Sequence, residues 1–227
     1  MSNILEQCLS LIDLGQLEKE IKTNPDTKFE EKDIEAIKNG DLNVIIHVAE
    51  LYATGSSVIA PNPQLAIQIC KLCIDLGNID GYGLLADFHE IGIGIEKDYH
   101  KSLTSLLEGA KKGSPYCMVK LANRNQKHRI CFDGKSIIDE EEEFQWIYSA
   151  AELGYAPSFI PLGLRYQCGS GTEQSKDKAE FWFDKAKEAG IETSMDYLIH
   201  LWQETWSEKY NGNKVQDRNS PRKRPNR

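Results

Sequence analysis

Long apolar runs are missing from this 227-residue chain, and so are the short motifs that mark common enzymes. No stretch of about 18 consecutive apolar residues occurs, so the sequence predicts no membrane-spanning helix. The first twenty residues carry acids where a secretory signal carries bases, and we expect a cytoplasmic protein with reduced cysteines. No nucleophile elbow, phosphate-binding loop or dinucleotide fingerprint is present, so no motif predicts catalysis.

Charge is distributed unevenly along the chain. The formal net charge is −8, yet residues 211–227 hold six basic side chains and a single acidic one. This tail has no large apolar residue except Val215, so we expect it to be disordered. The acidic body disfavours nucleic acid and anionic membranes as ligands, and we expect at most weak nucleic-acid binding, through the tail.

A regular spacing of glycines is the strongest pattern in the sequence. Five glycines at intervals of 37, 36, 41 and 36 residues follow predicted helices: Gly40, Gly77, Gly113, Gly154 and Gly190. Nine residues after the first four comes a small residue: Ala49, Ala86, Ala122 and Gly163. Twelve residues after them come Tyr52, His89, Asn125 and Tyr166. Recurrence in one register predicts helix pairs that bury their apolar faces against copies of themselves.

These positions resemble the Sel1-like repeat family, which is similar to tetratricopeptide arrays. The fourth unit carries most of the motif: Leu162-Gly163, Tyr166, Gly169-Ser170-Gly171, Lys178-Ala179, Trp182, Ala186 and Gly190. The resemblance covers about residues 41–190. It implies an all-α fold, a right-handed solenoid of helix-turn-helix repeats that binds proteins, and it implies no catalytic residue.

The register predicts where the segments begin and end. We expect a helical cap or degenerate repeat at 1–40, repeats at 41–77, 78–113, 114–154 and 155–190, a capping helix at 191–210, and the tail at 211–227. Within the cap, one helix is predicted over 2–22 and another over roughly 29–39. The long third repeat has an insertion near 126–136, which sequence drift explains about as well as a binding loop does.

Cys70 and Cys73 form a C-x-x-C pair, for which a zinc or redox site is the alternative to simple packing. No second pair supplies the remaining zinc ligands, and both cysteines take core positions of the repeat, so we expect them to be buried. The acidic run 139–143 lacks the spacing of a calcium loop, and Asp139 fits a helix N-cap better. We predict no metal and no cofactor.

Two classes of function remain open. The first is a non-enzymatic scaffold or adaptor that binds a protein or peptide on the concave face of the repeats, with toxin neutralisation by an immunity protein as one version. The second is an enzyme, such as a hydrolase related to secreted, cysteine-rich Sel1-like proteins. The cysteines of this chain do not follow the paired pattern of those proteins, and no set of residues converges on a reaction.

The predicted binding surface comes from register. We number each repeat from the terminal glycine, the one that ends the preceding unit. Positions 4, 5, 8, 9 and 12 after that glycine are expected to pack against neighbouring helices. Positions 3, 6, 7, 10 and 13 lie between them, and we expect them to face the concave side. They supply Asn43, His47, Glu50, Asp80, Leu84, Asp87, Glu90, Lys120, Asn123 and Gln167. Ile46, Leu84, Val119 and Leu164 are expected there as exposed side chains, on a surface too flat for a deep pocket. The acids of the first two repeats favour a protein partner with a basic segment.

Overall fold

Helices account for every regular element that the computed structural model describes, which comprises residues 3–131 and 138–193, with the backbone alone for 126–131. Eleven α-helices lie in these residues: α1 (Asn3–Ser10), α2 (Leu14–Thr23), α3 (Glu31–Lys38), α4 (Leu42–Thr54), α5 (Pro63–Asp75), α6 (Gly81–Ile91), α7 (Tyr99–Lys111), α8 (Pro115–Cys131), α9 (Glu140–Glu152), α10 (Phe159–Cys168) and α11 (Lys176–Glu188). A short 3-10 turn, Ala156–Ser158, precedes α10. The predicted all-α fold class is confirmed.

The chain divides into an N-terminal unit, Met1–Lys120, and a C-terminal unit, Leu121–Arg227, and the boundary falls within α8. In the N-terminal unit α4 packs against α5 and α6 against α7, while in the C-terminal unit α10 packs against α11. These are the helix pairs that the repeat register predicts. The tail and the capping helix beyond residue 193 lie outside the described residues, as does the insertion after residue 131.

The second helix of each pair ends in the same glycine turn. At Gly77, which has φ 99°, the N–H donates to the carbonyl of Ile74, and the N–H of Asn78 donates to the carbonyl of Cys73, both at 2.9 Å. Nothing lies within 4 Å of the point where a Cβ on Gly77 would stand. The left-handed backbone, which costs other residues about 1–2 kcal/mol, is therefore what requires glycine here.

Small residues of the register lie where two helices touch. A Cβ on Gly163 would stand 2.5 Å from Cε1 of Phe183, and one on Gly109 would stand 2.5 Å from Sγ of Cys117. Ala49, Ala86 and Ala122 are completely buried. Helix–helix contact, rather than helix propensity, selects small side chains at these positions.

The N-terminal segment differs from its prediction. The single helix expected over 2–22 is two helices, α1 and α2, separated at residues 11–13. Asp13 has extended backbone, and its side chain accepts a hydrogen bond from the N–H of Gln16 at 3.0 Å, so it caps α2. The N–H of Asp13 donates to the hydroxyl of Tyr52 in α4 at 3.1 Å. A local cap and a tertiary contact therefore interrupt a continuous apolar stripe.

Buried thiols contribute to the core of the N-terminal unit. Cys70 and Cys73 are completely buried, as predicted, and so is Cys8. The Cys70 thiol donates to the carbonyl of Gly81 at 3.3 Å. Burial raises the pKa of Cys70 to about 12, so this side chain packs as a neutral thiol.

Candidate protein-binding cleft

An open cleft of about 840 Å³ lies within the N-terminal unit. Residues 20–33, which run from α2 into α3, form one wall, and side chains of α4 and α6 form the other. The helices α4 and α6 are the first helices of successive repeats, so two repeats contribute side chains to the cleft.

Four of the predicted surface residues line this cleft: His47, Glu50, Leu84 and Asp87. His47 and Glu50 are three residues apart on α4, and Leu84 and Asp87 have the same spacing on α6. Helical periodicity places residues at this spacing on one face. The Nδ1 atom of His47 lies 3.1 Å from Oε2 of Glu50, and the His47 side chain is exposed while that of Glu50 is half-buried.

Asp87 and Lys120, which were predicted as separate surface charges, form an ion pair. The Nζ atom of Lys120 lies 2.6 Å from Oδ2 of Asp87 and 2.6 Å from the hydroxyl of Tyr116. Burial alone would lower the pKa of Lys120, but the hydrogen bonds to Asp87 and Tyr116 raise it above its ordinary value. Because this lysine neutralises Asp87, neither residue offers a full charge to a ligand.

The remaining predicted residues have other surroundings. Asn43 is exposed, and its Oδ1 accepts a hydrogen bond from Nδ2 of Asn78 at 3.3 Å. Asp80 accepts a hydrogen bond from the hydroxyl of Ser114, and Glu90 is half-buried. In the C-terminal unit, Asn123 and Gln167 are both exposed.

Two expectations about this surface are wrong. The aliphatic side chains expected to be exposed are buried, with 6–8 % of their surface accessible: Ile46, Leu84, Val119 and Leu164. The surface is also not flat, because residues 20–33 form a wall beside α4 and α6. The register specifies the direction in which a side chain points but cannot show which distant segment covers it.

A buried carboxylate holds this wall in place. Glu20 is 1 % exposed; its Oε1 accepts a hydrogen bond from Nδ2 of Asn24 at 2.5 Å, and its Oε2 accepts one from the hydroxyl of Ser56 at 2.6 Å. The oxygen of Ser56 accepts in turn from the backbone N–H groups of Val58 and Ile59. The network joins α2 to the turn after α4. No local pattern in the sequence indicates it, because Glu20 and Ser56 are 36 residues apart.

Negative charge predominates in the cleft. Six carboxylates line it against two lysines: Glu20, Asp26, Glu30, Asp33, Glu50 and Asp87, with Lys28 and Lys32. The Nζ atom of Lys32 lies 2.7 Å from Oε2 of Glu30, so this exposed lysine is already paired. The side chains of Leu51, Phe88 and Ile91 add apolar surface. A ligand that combines positive charge with an apolar group complements this lining.

A second polar cluster lies in the core of the C-terminal unit. Glu143 and Arg165, which are 0 % and 3 % exposed, form an ion pair with 3.2 Å between Oε2 and Nη2. Asn125 donates from Nδ2 to Oε1 of Glu143 at 2.7 Å and to the carbonyl of Ile138 at 2.9 Å. The cluster joins α8, α9 and α10, and its burial makes it a part of the core rather than a binding surface.

Neither a metal-binding cluster nor a membrane-spanning helix occurs in the part of the chain that the structure describes. There, no group of three or more histidine, cysteine, aspartate or glutamate side chains has an arrangement that could hold a metal ion. Among the same residues, no helix combines the length and apolar character needed to cross a membrane.

Comparison with known families accounts for the repeat frame. The model of the Sel1 repeat matches residues 45–78, 80–113, 115–155 and 162–191. The chain belongs to the Sel1 repeat family. Sel1 repeat proteins are generally scaffolds for protein–protein interaction and are typically not enzymes.

Among curated proteins, the chitin synthase regulator SKT5 of Saccharomyces cerevisiae is 27% identical over 141 residues, which is 61% of this chain and 20% of that protein. The chain thus spans about a fifth of the length of this relative.

Solved Sel1 repeat structures share the fold. A Sel1 repeat protein from Oxalobacter formigenes has a TM-score of 0.59 and 22% identity, over 78% of this chain and 72% of that one. The protective antigen c5321 of uropathogenic Escherichia coli has a TM-score of 0.56 and 20% identity, over 79% and 34%. An immunity protein from Pseudomonas aeruginosa has a TM-score of 0.49 and 23% identity, over 79% of this chain and 65% of that one. This similarity is too low to support an inference about function.

Proposed function

We propose that this protein is a non-enzymatic cytoplasmic scaffold, or adaptor, that binds a protein partner with a basic segment on the cleft face of α4 and α6. One observation carries the proposal: side chains from two successive repeats, His47 and Glu50 with Leu84 and Asp87, line a single open cleft. Mixed polar and apolar surface of this kind is typical of protein–protein interfaces.

The other register positions belong to the proposal as secondary contacts. Asn43, Asp80, Glu90 and Lys120 complete the proposed surface of the N-terminal unit, and Asn123 and Gln167 are proposed contacts of the C-terminal unit. The segment boundaries also remain a proposal, with repeats at 41–77, 78–113, 114–154 and 155–190 between a cap at 1–40 and a capping helix at 191–210.

Charge reversal tests the proposed surface. A partner is first identified by co-purification with the wild-type protein, and the purified pair is then measured by titration calorimetry. The double substitution Glu50→Lys and Glu90→Lys is expected to weaken binding about tenfold, because it places like charges against a basic partner. The side chain of Glu50 is 45 % exposed, so a lysine there keeps its charge in water.

The matched control is Glu35→Lys with Asp75→Lys, which changes the net charge equally at exposed positions outside the cleft. Its affinity is expected to stay within about twofold of wild type, a difference of about 0.4 kcal/mol. Undiminished binding by a folded Glu50→Lys, Glu90→Lys variant would contradict the proposed surface.

A further inference from the structure

The wall of the cleft formed by residues 20–33 lies outside the residues that match the Sel1 repeat, the first of which is residue 45. Several hydrogen bonds hold it. Glu20 is bonded to Ser56 at 2.6 Å, and the N–H of Glu30 donates to Oδ2 of Asp33 at 2.8 Å, which caps α3. Because the wall is held, its side chains have defined positions in the cleft lining.

Charge on both sides of the cleft is only partly neutralised from within the protein. Glu30 is paired with Lys32, and Asp87 with Lys120. In the described part of the chain, no lysine or arginine forms an ion pair with Asp26 on the wall or with Glu50 on α4. These two carboxylates leave a site suited to a cationic side chain.

Apolar surface lies on the α6 side of the same cleft. Ile91, at the end of α6, is 64 % exposed and lines the cleft together with the buried side chains of Leu84 and Phe88. A single exposed isoleucine needs no explanation. An exposed isoleucine that lines the same cleft as several carboxylates is suited to an aliphatic side chain of a ligand.

We infer that the cleft binds an extended peptide segment of the partner, in which lysine or arginine alternates with aliphatic residues, and that residues 20–33 select the basic side chains. Successive side chains of an extended segment point to opposite sides. The basic side chains then meet Asp26 on the wall and Glu50 at the α4 side of the cleft, while the aliphatic side chains meet Leu84 and Ile91 of α6. The inference rests on the proposed scaffold function. It adds the class of peptide that binds and the segment of this protein that recognises it.

Defined synthetic peptides provide the test. The probe is the heptapeptide acetyl-Gly-Lys-Leu-Lys-Leu-Lys-Gly-amide, and its counterpart carries Glu in place of Lys. Binding to the full-length protein is measured by titration calorimetry and by amide chemical shifts. We expect the lysine peptide to bind, with shifts concentrated in residues 20–33, 44–56 and 84–93, and the glutamate peptide not to bind.

Two matched pairs of variants separate local recognition from the general field of an acidic protein. Asp26→Lys with Glu50→Lys is expected to weaken binding of the lysine peptide about tenfold or more, from the loss of two ion pairs. Glu35→Lys with Asp75→Lys makes the same change in net charge outside the cleft and is expected to change affinity less than about twofold. Likewise, Ile91→Ser should weaken binding and Leu153→Ser should not, although the two side chains are equally exposed at 64 % and 62 %.

Several results would overturn the inference. It fails if the lysine peptide does not bind, if the glutamate peptide binds equally well, or if both charge-reversal pairs reduce affinity to the same extent. A large gain in peptide affinity on deletion of residues 211–227 would identify the chain's own basic tail as the occupant and would also overturn it. If the lysine peptide does not bind but binding of the purified partner still requires Glu50 and Glu90, the scaffold function stands and the peptide inference fails. If neither the peptide nor a protein partner binds, both proposals fail.

Discussion

The two units carry different residue types at equivalent positions of their repeats. Eleven residues after the glycine that ends the preceding repeat, the N-terminal unit has the apolar residues Leu51 and Phe88, and the C-terminal unit has Arg124 and Arg165. Eleven residues before the next terminal glycine, the buried residues Ala66 and Ser102 stand in the N-terminal unit, and Glu143 and Ala179 in the C-terminal unit. Equivalent positions of the repeats therefore hold apolar or small residues in one unit and mostly charged residues in the other. In one unit carboxylates line a solvated cleft, and in the other a carboxylate lies in the core.

Side-chain volume and hydrogen bonding explain how the repeat fold accommodates charged residues at core positions. In the third repeat Glu143 is larger than the small residues at its equivalent positions, and Asn125 is smaller than the Tyr52 and Tyr166 that share its register. Asn125 donates a hydrogen bond to Glu143, so the added volume of Glu143 and the reduced volume of Asn125 occur in residues that touch each other. Arg165 supplies the compensating charge. A packed core thus constrains total volume and requires its polar groups to be satisfied, but it does not require them to be apolar.

The largest expected effect is the loss of charge from the C-terminal core. Glu143→Ala leaves Arg165 buried without its carboxylate and is expected to cost about 3–5 kcal/mol. All four tryptophans, Trp146, Trp182, Trp202 and Trp206, lie in residues 121–227, so tryptophan fluorescence during urea unfolding reports on this unit.

A compensated variant sharpens this test. Asn125→Tyr, Glu143→Ala and Arg165→Leu together introduce the residues that the first repeat has at equivalent positions, namely Tyr52, Ala66 and Leu51. The triple variant is expected to recover most of the lost stability, since an apolar replacement of a buried ion pair is often neutral. A Glu143→Ala variant within about 0.5 kcal/mol of wild type would remove the contrast between the two units.

A smaller effect is expected from overpacking the N-terminal core. Cys73→Trp forces a large ring into a site with 0 % exposure and should cost about 1–3 kcal/mol. The matched control in the other unit is Cys168→Trp, because Cys168 is exposed. Hydrogen exchange of amides in α1 and α5 measures the loss. Equal stability of the two variants would show that the core around Cys73 is loosely packed.

The smallest effect is the response of the N-terminal unit to alkaline pH. Burial raises the pKa of Cys70 to about 12 and that of Cys117 to about 11, from an ordinary value of 9.0. The folded thiols keep their protons while unfolded ones ionise, so this contribution is complete below pH 9 and falls as pH rises towards the folded values. The loss at pH 10 is about 1 kcal/mol per cysteine.

Unfolding midpoints of the wild type and of a Cys70→Ala, Cys117→Ala variant, followed from pH 8 to about pH 10.5 by far-ultraviolet circular dichroism, measure this effect. The variant should lose less stability over that range. Parallel curves for the two proteins would mean that the thiols are as easily ionised in the folded state as in the unfolded one.

The features that could be predicted are those with local causes. The glycine turns recur because a left-handed backbone follows each second helix, and Asp139 caps α9 as predicted, accepting from the N–H of Glu142 at 2.8 Å. The register also correctly identified small, buried positions such as Ala86 and the buried pair Cys70 and Cys73. Short-range hydrogen bonds and helical periodicity are sufficient for each of these.

The cleft depends instead on contacts between residues far apart in sequence. The wall at 20–33 is held by Glu20 and Ser56, 36 positions apart, and Asp87 meets Lys120 across 33 positions. Periodicity places a side chain on one face of its own helix, but the packing of other helices decides whether that face is open, covered or neutralised. For this reason Leu84, which lines the cleft, was wrongly expected to be exposed.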